Sequence, residues 1–412
     1  MSAQGPIIIV SNDKQPALAA ALDHAKMFPI IETSWADAAR AVAQMQPVAM
    51  LVASPEVAEP ELAVFAKQIG ALQPYLPLLV INPKTSLPEN AIPFSQSAAD
   101  AGSDRLTARL RAALRVRTLH ATVMRRLEDQ SAARPTMTET NPARDATVLL
   151  AGRGAGYPAL SVALGGRMGI VGALSIEAAA KHLNTRDIDG IVLGDGFSPR
   201  VVDAFLTVLG EDPRFRNLPV VVAHEGVVPN YDLPNLEIIA GDPAHIAANA
   251  LPLIRQHAFE AHLSRTLRSI DAGGLLDPRT GLLTQAAFNR DFATAVHQAV
   301  AGGGGMSIAR FAFDPAHPRA QLDGARLLSR LMRQMDFGAA QEDGSIIVVF
   351  AETDLRTAHA IARRLSSVMR HTEHGKRDTR SEPMVTLAAL EPSDSVQSLL
   401  ARLDGEGRRA AS

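Results

Sequence analysis

One alternation constrains this chain more than any other feature: short β-branched runs separated by amphipathic stretches, laid down once and then again. In the first 130 residues "PIIIVSND", "PIIET", "VAMLVAS" and "LPLLVINP" read as strands. "QPALAAALDHAKM", "WADAARAVAQMQ" and "EPELAVFAKQIGALQ" read as the helices between them. Apolar strands spaced by helices demand a parallel sheet covered on both faces. Right-handed crossovers then give a doubly wound domain. A long helix over about 103–130 closes the unit. It carries Leu106, Leu110, Leu114, Leu119, Val123 and Leu127 on one face, and its arginines, Arg105 and Arg109 among them, read as a solvated face.

The stretch 131–146, "SAARPTMTETNPARDA", has no periodicity and reads as a linker. The alternation then restarts over 147–262, with "TVLLAG", "GIVGA", "GIVLGD", "LPVVVAH" and "LEIIAG" as strands. A third unit, 263–412, mixes helices with a hairpin. Its strand "SIIVVF" follows Asp343-Gly344, a tight two-residue turn signal.

Composition excludes several functions. The 412 residues are 47% apolar and carry a net charge of -2, so no global field draws the chain to nucleic acid or anionic membrane. With no cysteine there is no disulfide, thiol catalysis or cysteine-held zinc, and a reducing compartment fits. No apolar run reaches the roughly 18 residues of a spanning helix, and the N-terminus has no signal-peptide pattern. These features predict a cytoplasmic protein without membrane insertion.

Two tandem units of this pattern resemble the receiver domains of two-component response regulators. That resemblance implies an acid pair after the first strand, a phosphoacceptor Asp after the third, and later a hydroxyl residue and a Lys. The first unit reads Val10-Ser11-Asn12-Asp13 and Ser54-Pro55 at the two acidic positions, which leaves no phosphorylation chemistry. In the second, Asp195 stands four residues before Pro199, as the receiver pattern asks, and is the candidate phosphoacceptor. The Mg²⁺ acids are missing (Leu150-Ala151-Gly152-Arg153), and Ala223-His224 and Asp242-Pro243 replace the hydroxyl residue and the Lys. Asp195 therefore also reads as a sheet-edge carboxylate, solvated or paired with Arg153. "GRGAGYPAL" matches neither dinucleotide nor Walker spacing and reads as a Gly-rich turn.

"LLDPRTGLLTQAAF", 275–288, resembles the opening D-x-L-T-G-L-x-N-R of GGDEF domains, the diguanylate cyclase fold. Asp277, Thr280, Gly281 and Leu282 match; Arg279 and Thr284-Gln285 depart. The whole chain is similar to PleD/PopA-like receiver–receiver–GGDEF response regulators. The fold expected is two flavodoxin-like doubly wound domains followed by a GGDEF-type α/β domain with a central mixed sheet.

The family condenses two GTP to cyclic di-GMP. Here the signature hairpin reads Glu342-Asp343-Gly344-Ser345-Ile346, the metal- and guanine-binding segment keeps only Asp314, and the late Tyr-x-Ala-Lys segment is absent. The expectation is a chain without turnover, needing no metal or cofactor, in which Asp314, Glu342 and Asp343 hold a metal loosely at most. A divergent cyclase and a ligand-independent scaffold are the rivals.

Arg333 and Asp336 stand at the spacing from the hairpin that the family uses for its inhibitory R-x-x-D site, which binds cyclic di-GMP. Arginine can fork to guanine O6 and N7, and a carboxylate can accept from the N1–H and N2–H edge. The plainer reading is an i,i+3 helix pair. Arg319 and Arg330 are secondary phosphate candidates. Homodimerisation and protein partners on the receiver-like units are expected too. His371 and His374 read as a charged surface loop, and His120 as a helix residue without phosphotransfer context.

Overall fold

Three sheets form in sequence order in a computed structural model, which describes residues 5–13, 15–27, 29–53, 59–84, 86–96, 104–129, 144–223, 231–302, 305–314, 318–369 and 383–410. The first unit contains β1 (Ile7–Val10), α1 (Pro16–His24), β2 (Ile30–Thr33), α2 (Ala38–Met45), β3 (Ala49–Val52), α3 (Glu59–Gly70), β4 (Leu78–Ile81), β5 (Ala91–Phe94) and α4 (Asp104–Asp129). Its sheet is parallel in the order β2-β1-β3-β4-β5, the flavodoxin-like doubly wound arrangement. β1 and β3 are buried along their whole length, as continuous apolar runs require when helices cover both faces.

The second unit repeats the plan with β6 (Thr147–Ala151), α5 (Tyr157–Gly165), β7 (Gly169–Ala173), α6 (Ile176–Thr185), β8 (Gly190–Leu193), α7 (Pro199–Glu211), β9 (Val220–Val222), β10 (Leu236–Ile238) and α8 (Pro243–Asp271). Its parallel order, β7-β6-β8-β9-β10, is the same winding. Neither unit has a described helix between its fourth and fifth strands.

Two expected boundaries shift. The division at 262/263 falls inside α8, which Asp242 caps by accepting from His245 N at 2.9 Å and which runs unbroken to Asp271. The end of the expected linker belongs to the packed protein, because Ala146 is fully buried and Asp145 is bonded to the third unit. Residues 131–143 lie outside the described set.

The first two units share one apolar core that runs from Ile9, Leu51 and Leu110 to Leu150, Ala250 and Ile254. α4 and α8 continue it beyond the sheets through Val116, Val123, Leu263 and Ile270. The edge strands β5 and β10 meet at Arg109. This side chain is a correction to the solvated face expected of α4, since it is 1% exposed. Its Nη1 donates to Pro93 O at 2.7 Å and its Nη2 to Leu236 O at 2.9 Å. Nη2 also meets Glu237 Oε1 at 3.0 Å, and Ser95 N donates to Glu237 Oε2 at 3.1 Å.

The third unit contains α9 (Gln285–Gly302), β11 (Met306–Ala312), α10 (Pro318–Leu331), β12 (Phe337–Ala340), β13 (Ser345–Ala351), α11 (Leu355–Met369), β14 (Met384–Ala389) and α12 (Val396–Ala410). From β11 onward this is a β-α-β-β-α-β unit of the split βαβ type. Its sheet, β12-β13-β11-β14, is antiparallel throughout the described strands rather than mixed, because each helix crossover links strands of the same direction but leaves a position between them that an opposite strand fills.

Candidate ligand site at the base of the third-unit hairpin

The opening motif of the third unit folds into a turn by its own side chains. Asp277 accepts from Arg279 N at 3.0 Å and from the Thr280 hydroxyl at 2.7 Å. Asp277 N donates to Leu282 O at 2.8 Å, and Leu283 N to Gly338 O at 3.0 Å. The turn thereby anchors α8 to β12. The departure at 279 has a use: Arg279 grips Asp145 of the second unit with two bonds, at 2.9 and 3.1 Å.

The hairpin itself pairs Ala340 with Ile346 and Phe337 with Val349. Its connection is longer than the two-residue turn expected. Gln341 N donates to Ser345 O at 2.8 Å, so Glu342, Asp343 and Gly344 all lie in the loop. Gly344 has φ +85°, the left-handed last position of a three-residue hairpin loop. At the tip, the Asp343 carboxylate turns back onto its own strand. Ser345 N and the Ser345 hydroxyl donate to Asp343 Oδ1 at 2.9 and 2.6 Å. Burial pushes this carboxyl up, but the Ser345 bonds and the Arg310 charge outweigh it and leave it below its ordinary value. Arg310 Nη1 stands 3.9 Å from Asp343 and 2.8 Å from Asp404 on α12. Among the described residues no cluster of three metal-ligating side chains exists.

At the base, α10 stops at Leu331, and Arg333 to Asp336 form a turn closed by Asp336 N donating to Arg333 O at 3.0 Å. The helix-pair reading is thus replaced by a four-residue turn leading into β12. The two side chains part company. Arg333 is exposed, next to the exposed Met335, whereas Asp336 is only 8% exposed and accepts from Ala351 N at 3.2 Å. Burial holds the Asp336 carboxyl above its ordinary value, offset in part by the Ala351 and Arg333 N–H groups and the Arg333 charge.

A carboxyl raised on folding favours the folded state most below the ordinary aspartate range, and that contribution fades as pH rises through its folded value. At pH 7 the charge on Asp336 therefore opposes folding while its oxygen supports β13. Asp336→Asn keeps an acceptor and drops the charge, so its urea midpoint at pH 7 should be unchanged or higher. Asp336→Ala strands the Ala351 N–H and should cost about 1–2 kcal/mol.

Arg319 and Arg330 do not flank this turn as phosphate ligands. They lie on α10 at the junction with the second unit. Arg319 bonds Arg144 O, Ala146 O and the Thr147 hydroxyl, and Arg330 bonds Arg186 O and, at 2.8 Å, Asp187 Oδ1. A polar cleft of about 390 Å³ lies along this junction, between Arg144, Asp277, Arg319 and Gln341. No sequence motif marked it, since its walls come from segments far apart in the chain.

Asp195 sits two residues past the end of β8, half-buried. Its carbonyl accepts from Arg153 N and Gly154 N, each at 3.1 Å. Its carboxylate lies directly on the Gly154 α-carbon, where an added Cβ would stand 2.2 Å away. Glycine at 154 therefore leaves room for the carboxylate, which a Cβ there would displace. Arg153 does not pair with Asp195 through its side chain. It donates from Nε to Gly196 O at 2.8 Å and stacks on Phe197. His224, His371 and His374 fall outside the described residues; His120 accepts from Tyr75 N at 2.8 Å and packs on Phe259, a structural role.

No family model and no curated protein matches the sequence. Solved structures do. The GGDEF domain of FimX from Pseudomonas aeruginosa is 20% identical over 33% of this chain and 94% of that one, with a TM-score of 0.30. The coiled coil and GGDEF domain of DgcB from Caulobacter crescentus, in complex with c-di-GMP, is 16% identical over 35% of this chain and 83% of that one, with a TM-score of 0.29. A sensory box/GGDEF family protein from Caulobacter crescentus is 21% identical over 33% and 97%, with a TM-score of 0.29. No helix of the described residues is long and apolar enough to cross a membrane.

Proposed function

We propose that this chain is a non-catalytic signalling regulator or adaptor of the cyclic di-GMP and two-component type, whose third unit reads the dinucleotide through Arg333. One observation carries the reading: the division of labour along the hairpin. At the tip, Asp343 is spent on Ser345 and Arg310, so the carboxylate nearest the family's metal position is already satisfied. At the base, Arg333 stands exposed on a turn that Asp336 locks to β13. An exposed guanidinium on a fixed turn suits forked bonding to guanine O6 and N7, or stacking on the base. Asp336 is a positioning residue in this reading rather than a second contact.

The doubly wound units serve as partner and dimer surfaces. Their receiver-like role is supported by the strand order. Phosphorylation of Asp195 is disfavoured, because Gly152 and Arg153 stand after β6 where the receiver pattern has its Mg²⁺ acids, and Gly154 lies against its carboxylate.

Calorimetry with cyclic di-GMP decides the ligand half. Wild type should bind, Arg333→Ala should lose at least about tenfold in affinity (roughly 1.4 kcal/mol), and Asp336→Asn should retain binding. No heat from wild type would favour a ligand-independent scaffold, to which the burial of Asp336 already lends weight. Formation of cyclic di-GMP from GTP and Mg²⁺ would replace both readings with a divergent cyclase.

A further inference from the structure

Between the first unit and α8 lies a cleft of about 520 Å³ that the proposed function leaves unused. Its walls are mostly apolar: Leu76 and Ile92 on the first unit, Pro252 and Phe259 on α8. Tyr75 and Phe259 meet edge-to-face there, with ring centroids 5.6 Å apart. A concave space of this volume, at the junction of two units and apolar with a few polar groups, has the form of a small-molecule site.

The polar groups narrow the ligand. Arg255 pairs with Glu89, from the loop between β4 and β5, and both line the cleft, as does Lys67 of α3. Together these three leave one formal positive charge. Gln256 also lines the cleft and is only 9% exposed, yet its side-chain Nε2 has no hydrogen-bond partner among the described residues. Buried donors are nearly always paired, because an unpaired one forfeits its bond to water without replacement. An orphan amide in the wall of an apolar, net-positive cleft asks for an acceptor that carries negative charge.

We infer that this cleft binds a small planar aromatic monocarboxylate, its ring against Tyr75 and Phe259 and its carboxylate answering the Gln256 amide and the excess positive charge. Such a ligand would bridge α3 and α8, and α8 is the helix that leads into the third unit.

The test is calorimetry of the full chain with 2-naphthoate. Wild type should show one saturable site per chain. Ala63, exposed on α3 at the cleft, offers a plug that leaves the core untouched, and Ala63→Trp should abolish binding. Gln256→Leu should weaken binding about tenfold, and the neutral 2-naphthamide should bind wild type at least about fivefold more weakly than 2-naphthoate. Unchanged unfolding midpoints show that the variants fold; should Ala63→Trp not fold, Gln256→Leu and the naphthamide comparison decide. Absence of a saturable site in wild type overturns the inference, as does an affinity unchanged by the folded variants.

Discussion

Replacing Arg109 by methionine is expected to destabilise the protein by about 3–5 kcal/mol, the usual cost of breaking a buried ion pair from one side. The guanidinium is the hub where the sheets of the first two units meet. It holds Glu237, which is fully buried, and the carbonyls of Pro93, Pro234 and Leu236. Burial pushes the Glu237 carboxyl up against the pull of Arg109 and Arg105, and burial also lowers Arg109. Without Arg109 the Glu237 carboxyl should climb further. A carboxyl raised in the folded state contributes most below the ordinary glutamate range of about 4.3, and that contribution disappears as pH rises through the folded value. The Arg109→Met deficit should therefore be smallest below the ordinary glutamate value of about 4.3 and grow toward neutrality. Glu237→Leu added to Arg109→Met removes the stranded charge and should recover most of the loss, since an apolar pair of similar volume substitutes well for a buried ion pair. Urea midpoints at constant slope measure all three. A single variant within about 1 kcal/mol of wild type would show that the pair is not the hub.

What could be read from sequence follows from which forces are local. The β-branched runs became buried parallel strands because continuous apolar runs have no other stable place in a winding of this kind, and both repeats kept their order. The motif from Asp277 to Leu282 was legible because its residues lie together in the chain, and the turn they form is held by its own side chains. Long-range polar contacts were not. Arg105, Arg109 and Arg117 share a helix with exposed arginines and carry no local mark of burial, yet Arg109 reaches carbonyls more than 120 residues away. The hairpin shows the same limit on a smaller scale. Asp-Gly announced a turn, but its length depended on how Gln341 paired with Ser345. For the candidate site, spacing located Arg333 and Asp336 beside the hairpin. Only the fold separated them into an exposed cation and a buried anchor.

Arg326→Met is expected to uncouple the third unit from the second. Arg319, Asp323, Arg326 and Arg330 fall at spacings of four, three and four, one stripe of α10, which in isolation reads as the helix's wet side. In the folded chain that stripe lies against the amino ends of β6 and β8. Arg326 is 4% exposed, donating from Nε to Arg279 O at 3.1 Å and from Nη1 to Asp145 O at 2.7 Å. It therefore clamps the opening turn of the third unit to the segment that precedes β6. Two charge-assisted bonds of this kind are together worth about 2–4 kcal/mol, and methionine fills similar volume without them. Part of the loss will be offset, since Arg326 and Arg265 repel one another across the junction and burial already lowers Arg265 to about 10. The third-unit transition should move to lower temperature in calorimetric scans while that of the first two units, held by their common core, stays in place. Arg326→Lys restores charge but cannot span both carbonyls with one planar fork, so it should fall between the two. If wild type and Arg326→Met melt identically, α10 is not the coupling element, and a signal passing from the doubly wound units to Arg333 would run through other links between the units, among them α8 and the Arg279–Asp145 pair.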